Sequence, residues 1–438
     1  VLSVAADVKS HIALLAVFAS LCFAGCASNT GDDASSGAHE PPAKSPPKTV
    51  AKKQPAVPEK PPLDERLYGG EPLANWVANL KNIDPRGPEG VAAVDGLIAL
   101  VRDGDVPMPT RIQAAVALGR IGRPAEKAVP VFVEFLMRRK EPKDPKQHAE
   151  LMFSLKALTM LGPAAKSATP ELVRLARDSD WSVYVRGAAL EALARIGPAD
   201  AKAVETIVSM LTYRGDVGVS IPDRLFLRRF AADAVGIIGP DAYVAIPRLR
   251  LCMRDNDAEL RRRSALALGA MKARGRDGIV SLVDALVRDD SPVVRDAAGD
   301  ALAMLGTLAL PELRKLMKLD DAEAKARAAL SLGKIGPPAK EALPDLDDAL
   351  DDDDAWVRIN AAEAIWLISG NADKAAAAMV EELRSSNRQI RIKAYRFFKT
   401  LGPKAKSVAP ALERLLEHKR GEVRTAASKA LQAVRAKR

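Results

Sequence analysis

At 438 residues the chain is long enough for several domains, yet its 48% hydrophobic content includes only 4% aromatics, and alanine, leucine and valine supply the rest. Three cysteines and four histidines leave no disulfide framework and no zinc cluster, and a charged content of 28% excludes a polytopic membrane protein. The net charge of +10 has to be located along the chain before it is read.

Residues 12–25 (IALLAVFASLCFAG) form an apolar run after Lys9 and His11. The run is too short to span a bilayer and has the proportions of a signal-peptide core. It ends in Phe23-Ala24-Gly25-Cys26, which resembles a bacterial lipobox: small residues before a cysteine that becomes lipidated. Phe23 departs from the usual aliphatic residue, and cleavage by an ordinary signal peptidase near Ala27 is the alternative. The resemblance implies residues 1–25 as a signal peptide and lipidation, palmitate included, at Cys26. Residues 26–66 then turn to Pro, Lys, Ala and Ser (PPAKSPPK, KKQPAVPEKPP). Such a stretch buries too little apolar surface to offset its entropy, and it is expected to be a disordered tether with extended polyproline character.

From Gly69-Gly70 onward the chain repeats. A Leu/Ile-Gly phrase, usually followed by proline, recurs at Gly122, Gly162, Gly197, Gly239, Gly306, Gly336 and Gly402, with degenerate copies near Lys272 and Gly370, at a mean spacing of about 35 residues. Each unit reads as two helices. The first, for example over 125–136, 166–176 or 406–416, carries an early proline (Pro130, Pro170, Pro247, Pro344, Pro410), tolerated in a first turn. The second, for example 185–197, is alanine-rich, and its terminal glycine is expected to adopt the left-handed cap.

An arginine stands at a fixed distance before the end of most second helices: Arg111, Arg186, Arg228, Arg261, Arg295, Arg358, Arg391 and, in the last unit, Arg424. Asp105, Asp180, Asp255 and Asp289 precede their arginines by six residues, as Asp352 precedes Arg358. Stacked repeats bring such positions to one height, so these residues read as a structural ladder in which an aspartate bridges the arginines of neighbouring units. It lapses at Leu151, and Lys325 takes the arginine's place in its unit. Gly-Pro ends, first-helix proline and this D-x5-R pattern together resemble HEAT repeats, particularly the short phycobilisome-lyase type. The resemblance implies an all-α, right-handed α-solenoid of about ten two-helix repeats over residues 67–438, with Trp76 covering the first interface.

Catalytic constellations are not found. The di-iron hydroxylases of this architecture carry repeated His-Glu pairs, whereas here His39-Glu40 in the tether is the sole one; His148 and His418 fall at unrelated positions. Cys252 reads as a small buried apolar residue, the acidic run 351–354 lacks the alternating ligands and glycine of a calcium loop, and Arg214-Gly215-Asp216 reads as a turn. No cofactor and no metal are expected.

Two units are longer than the mean, with extra residues at 141–147 and 213–224, both between the helices of a unit and so on one rim. Rim insertions often mark a binding side, which makes Lys143, Lys146, Tyr213 and Arg214 candidate partner contacts. The charge is also localised. The tether is balanced, and residues 388–438 hold fifteen Lys or Arg against three Glu, so Arg391, Lys393, Arg396 and Lys399 are candidates for an acidic partner, with a solvated terminal cap as the plain alternative. The expected protein is a non-enzymatic protein-binding scaffold, secreted and lipid-anchored to the bacterial cell envelope. The alternatives are a HEAT-like nucleic-acid-binding or DNA-repair protein using the basic end, and third a HEAT-like lyase or hydroxylase.

Overall fold

The computed structural model describes residues 60–215 and 219–436. The chain divides into two units, Val1–Lys60 and Pro61–Arg438, and every described element belongs to the second. The apolar run 12–25, Cys26, His39-Glu40, the tether up to residue 59 and Asp216 lie outside the described residues.

The folded unit starts earlier than the composition indicates. Residues 61–66 were expected in the tether, but Leu63–Glu65 form a 3-10 turn and Arg66 bonds Asp103 at 2.9 Å and Asp105 at 2.7 Å. A proline-rich composition hides this, because what orders the segment is an ion pair to residues far along the chain. Strands β1 (Leu67–Tyr68) and β2 (Glu71–Pro72) pair antiparallel around Gly69-Gly70 and lead into helix α1 (Leu73–Asn79). Trp76 of α1 is buried and donates its indole N–H to the Tyr68 carbonyl at 2.8 Å. It lies directly on Gly96, where an added Cβ would fall 2.2 Å from the indole ring.

Among the described residues ten helix pairs follow, forming an all-α solenoid. The first helices are α2 (Pro88–Arg102), α4 (Val129–Leu136), α6 (Thr169–Arg177), α8 (Ala201–Met210), α10 (Ile246–Cys252), α12 (Ile279–Arg288), α14 (Leu310–Leu316), α16 (Leu343–Asp348), α18 (Ala372–Glu382) and α20 (Ala409–Arg414). Their partners are α3 (Met108–Ile121), α5 (Pro145–Leu161), α7 (Val183–Ile196), α9 (Ile221–Ile238), α11 (Ala258–Ala270), α13 (Pro292–Leu305), α15 (Ala322–Ile335), α17 (Ala355–Ser369), α19 (Arg388–Leu401) and α21 (Gly421–Arg435).

Two local expectations change. The stretches before the first-helix prolines are separate 3-10 turns, such as Arg123–Ala128, Gly162–Ala168 and Gly402–Val408. The α-helices begin after them, so Pro130, Pro170, Pro247, Pro344 and Pro410 each occupy the second helical position, where no intrahelical N–H is needed. The glycines that end the second helices also differ from the expected left-handed cap. Gly239, for example, has φ 70° and ψ −135°, a region that only glycine reaches without strain, and the chain turns at once into the 3-10 turn. Gly370 alone, with φ 72° and ψ 3°, takes the left-handed cap, and there the next helix follows with no 3-10 turn between.

Second helices stack on one another through small residues. A Cβ on Gly269 of α11 would come within 2.7 Å of the Ala301 Cα on α13, and one on Gly333 of α15 within 3.0 Å of the Ala364 Cα on α17. This close approach is what the alanine-rich, aromatic-poor composition provides. The apolar core falls into two clusters that meet inside α17: Val357, Ala361, Ala364 and Ile365 belong to the one that runs back to Tyr68, and Ile359 and Ala362 to the one that runs on to Val434. The polar side chain of Asn360 lies at this seam, donating to the Ala326 carbonyl at 2.8 Å and accepting from the Lys393 ammonium. Cys252 is fully buried, with its Sγ 3.4 Å from the Leu211 carbonyl; burial pushes the thiol pKa up. No helix among the described residues is long and apolar enough to cross a membrane.

Candidate interaction surface

The turn between the two helices of a repeat is organised by an aspartate that accepts a hydrogen bond from the backbone N–H two residues on. Asp103, Asp178, Asp255, Asp289 and Asp352 all do this, at 2.9 to 3.1 Å. The arginine of the following helix closes the same turn by donating to its carbonyls: Arg261 to Asp255 at 2.9 Å, Arg295 to Asp289 at 2.7 Å and Arg358 to Asp352 at 2.7 Å. A span of six residues is what one helical turn needs to bring a guanidinium back over the turn it follows. Arg391 and Arg424 make the same closure onto Ser385 and His418 at 2.8 Å, without an aspartate.

The other arm of these cations crosses to the next repeat. Arg228 reaches Asp255 at 2.8 Å, Arg261 reaches Asp289 at 2.8 Å, Lys325 reaches Asp352 at 2.7 Å and Arg358 reaches Glu382 at 2.7 Å. Asp289 therefore joins two consecutive arginines, one through its carboxylate and one through its carbonyl. Its burial raises the carboxyl pKa, and the bonds from Arg261 and from the Ser291 N–H outweigh that and hold it below the usual range.

The first two aspartates of the D-x5-R pattern do not fit this geometry. Asp105 pairs with Arg66, and its neighbour Asp103 holds the turn. Asp178, not Asp180, holds the turn in the repeat of Arg186. Arg111 and Arg186 direct their Nε to carbonyls ten residues back, Val101 at 3.0 Å and Ala176 at 3.1 Å. Arg111 also bonds Glu150 at 2.7 Å in the next repeat. Arg186, only 1% exposed, has no carboxylate partner among the described residues. One of its terminal nitrogens is unbonded, and its guanidinium lies 4.9 Å from the centre of the Tyr213 ring.

The rim insertions turn out to be partly helical and partly staples. Residues 145–147 and 221–224 extend the starts of α5 and α9. Glu141 accepts from the Ser182 N–H at 2.7 Å and from its hydroxyl at 3.0 Å, in the next repeat, while the Lys146 ammonium reaches back to the Gly104 carbonyl at 2.5 Å. Lys143 and Arg214 are exposed, and the Arg214 carbonyl accepts from Arg224 at 2.7 Å. Beside Lys146, the residues 104–108, Pro145 and Ala149 line an open cavity of about 450 Å³.

On the exposed side of the second helices, acids pair with bases of the following repeat: Asp233 with Arg263, Asp300 with Lys334, and Glu363 with Lys393 at 3.4 Å. The series stops at α19. Arg396 and Lys399 are exposed and have no carboxylate partner among the described residues. Phe397 and Phe398, the aromatics beside them, are buried, Phe397 edge-on to Trp366 at 5.6 Å.

Residues 279–366, from the start of α12 into α17, match the family of HEAT repeats. The helix pair recurs on both sides of that stretch, and the aspartate turn and the cross-repeat bridge recur before it. That stretch of the chain is similar to HEAT repeats. Among solved structures it is similar to an engineered protein, with 22% identity over 78% of this chain and 99% of that one and a TM-score of 0.36. It is also similar to Kap95p in a structure with RanGDP, with 13% identity, 80% and 50% coverage and a TM-score of 0.48. With Kap121p the identity is 14%, the coverage 81% and 42% and the TM-score 0.39. The chain thus spans half or less of the length of the Kap95p and Kap121p chains it matches. No curated protein matches it.

Within the repeats, the candidate contacts sort by what already holds them. Arg391 is spent on its turn, and Lys393 is held by Asn360 and Glu363 with its ammonium 5.7 Å from the centre of the Trp356 ring. Tyr213 is half-buried against Arg186. Arg396 and Lys399 remain available, and two residues that the sequence reading passed over join them. Arg388, at the start of α19, is exposed without a carboxylate partner, and Lys429 of α21 lies over the Tyr395 ring, 5.9 Å from its centre. The signal for Lys429 was a register of 33 residues running Glu363, Arg396, Lys429, in which an acidic position becomes basic.

Proposed function

We propose that this chain is a HEAT-repeat protein, a non-enzymatic scaffold that binds a protein partner along the exposed side of its second helices, held at the cell envelope by a lipid on Cys26. The observation that carries the scaffold reading is the surface itself. A ten-repeat stack presents apolar side chains that its own core does not use, among them Met304 at 52% exposed, Trp356 at 38% and Leu367 at 39%, with a run of unpaired cations at one end. Repeat stacks of this kind offer long surfaces to partners. The anchor rests on the apolar run 12–25 ending in Ala24-Gly25-Cys26, and the tether would keep the folded unit clear of the membrane.

Crosslinking in intact envelopes followed by affinity purification tests the scaffold, the expected result being one protein recovered in proportion to the bait. Fractionation of the protein and of Cys26→Ser tests the anchor. Loss of membrane association in the variant is expected, and an identical soluble fraction for both refutes it. For the nucleic-acid alternative, Phe397 and Phe398 are buried, and Tyr395, half-buried beneath Lys429, is the aromatic of this segment left to stack on an unpaired base.

A further inference from the structure

The junction between α17 and α19 brings together two features that the fold does not consume. On α17, Trp356 and Leu367 stand three helical turns apart on the exposed side, 38% and 39% exposed. One repeat on, Arg396 and Lys399 of α19 have no carboxylate partner among the described residues, and Lys429 of α21 occupies the same register another repeat further. Earlier on this side, from α9 to α17, three acids pair with bases one repeat on, Asp233 with Arg263, Asp300 with Lys334 and Glu363 with Lys393, and leucines (Leu266, Leu330) take the same position in α11 and α15. In this register the charged positions up to α17 are therefore acidic and paired, and those beyond it, Arg396 and Lys429, are basic with no carboxylate partner among the described residues. An isolated row of cations costs self-repulsion, and exposed Trp and Leu side chains gain about 25 cal/mol per Å² when covered. A single occupant relieves both.

We infer that this junction binds an amphipathic acidic segment of a partner protein, apolar at one end and carboxylate-rich at the other. The inference rests on the scaffold reading and names the chemistry of its site. The apolar side chains of the segment cover Trp356 and Leu367, and its carboxylates pair with Arg396, Lys399 and Lys429. With neighbouring helices packed about 8–10 Å apart, the stretch from α17 to α21 is roughly 20 Å, the length of about 13 residues of helix. A free polyanion satisfies the cations and leaves Trp356 and Leu367 uncovered, which is why the occupant is a mixed segment and not a nucleic acid.

The test uses the full chain and fluorescein-labelled 18-residue helical peptides by anisotropy. All carry leucines at i, i+3, i+4 and i+7 in one half; the other half carries four glutamates in the acidic probe and four lysines in the basic probe. A third peptide keeps the glutamates and replaces the leucines with serines, and a single-stranded 20-mer DNA is the polyanion control. The acidic probe is expected to bind at least about tenfold more tightly than each of the others. Arg396→Ser/Lys429→Ser is expected to weaken it about tenfold and to remove most of its salt dependence, and Trp356→Ser/Leu367→Ser to weaken it several-fold at every salt concentration. All four residues are surface side chains, so the variants keep the helical circular dichroism and melting of the parent. Equal binding of acidic and basic probes overturns the proposal. So does DNA that binds as tightly as the acidic probe with no response to Trp356→Ser/Leu367→Ser. An envelope partner that crosslinks elsewhere and ignores Arg396→Ser overturns this site while leaving the scaffold reading in place; no crosslinked partner at all removes that reading, whatever the peptides do.

Discussion

The Arg261 guanidinium grips both carboxylate oxygens of Asp289, at 2.8 Å each, across the boundary between two repeats, and donates backwards to the carbonyls of Asp255 and Asn256 at 2.9 and 3.2 Å. One side chain thus closes its own turn and fastens the next. Replacing Arg261 with methionine removes both functions and leaves the Asp289 carboxylate, whose side chain is only 7% exposed, without its cation. A loss of about 2–4 kcal/mol is expected, seen as an earlier urea transition.

Arg186 is the counter-case. It is as buried as Arg111 but lacks the carboxylate that Glu150 supplies there. Replacing a buried cation that has poor partners with an apolar side chain of similar length is neutral or stabilising. Arg186→Met is therefore expected to change the urea midpoint little or to raise it, with Arg111→Met clearly destabilising. The reverse order would contradict the account of the ladder.

Lys272 stands where eight other repeats end a second helix with glycine, and its φ of 50° is costly for a side chain with a Cβ, by about 1 kcal/mol. Lys272→Gly is expected to relieve that strain at the cost of about 0.4–1 kcal/mol of extra unfolded-chain entropy, leaving a small stabilisation of up to about 0.5 kcal/mol. Gly239→Ala is expected to destabilise by more than about 1 kcal/mol. Paired thermal melts of the two variants give opposite shifts.

Where Gly269 meets Ala301 there is no room for a side chain. Gly269→Val is expected to push α11 and α13 apart at a cost of about 1–3 kcal/mol, and to speed amide exchange in those two helices while α3 and α5, several repeats away, keep their protection. Uniform loss of protection along the chain would show that the repeats do not act as neighbours only.

The acid limb of stability has a defined source. Hydrogen bonds from Arg262, opposed by burial and helped by Arg263, pull the Glu259 carboxyl down to about 2, against about 4.3 unfolded. A depressed carboxyl contributes stability that is complete above the unfolded value and is lost as pH falls toward the folded one. Glu150 acts in the same direction: its burial pushes it up, and Arg111 and Arg138 more than reverse that. The melting temperature is expected to decline between about pH 4.5 and pH 2, and Glu259→Gln to make that decline shallower.

Architecture was legible because a repeat prints its geometry many times over. The Leu-Gly phrases and the arginine spacing place ten helix pairs, and the apolar periodicity puts Phe397 and Phe398 in the core. What stayed hidden depends on partners that spacing does not name. The sixth residue before Arg111 is Asp105, and only the stacking shows that Arg66 claims it while Asp103 makes the turn. Composition assigned residues 61–66 to the tether, since the Asp103 and Asp105 carboxylates that order Arg66 are nearly forty residues away. At the basic end the count of lysines and arginines was visible, but not that Arg391 and Lys393 are occupied by the fold while Arg396 and Lys429 are left over. That distinction comes from which side of a helix meets the next repeat.

The division of the apolar core inside α17 has a structural consequence. Elsewhere the stack is a beam whose sections share one oily interior; at this point two interiors abut, spanned by Asn360 reaching to the Ala326 carbonyl on one side and to Lys393 on the other. The repeats carrying Arg396 and Lys429 therefore bury their apolar side chains in a core of their own, joined to the rest through α17 itself, through Asn360 and through the Trp366 ring edge-on to Phe397.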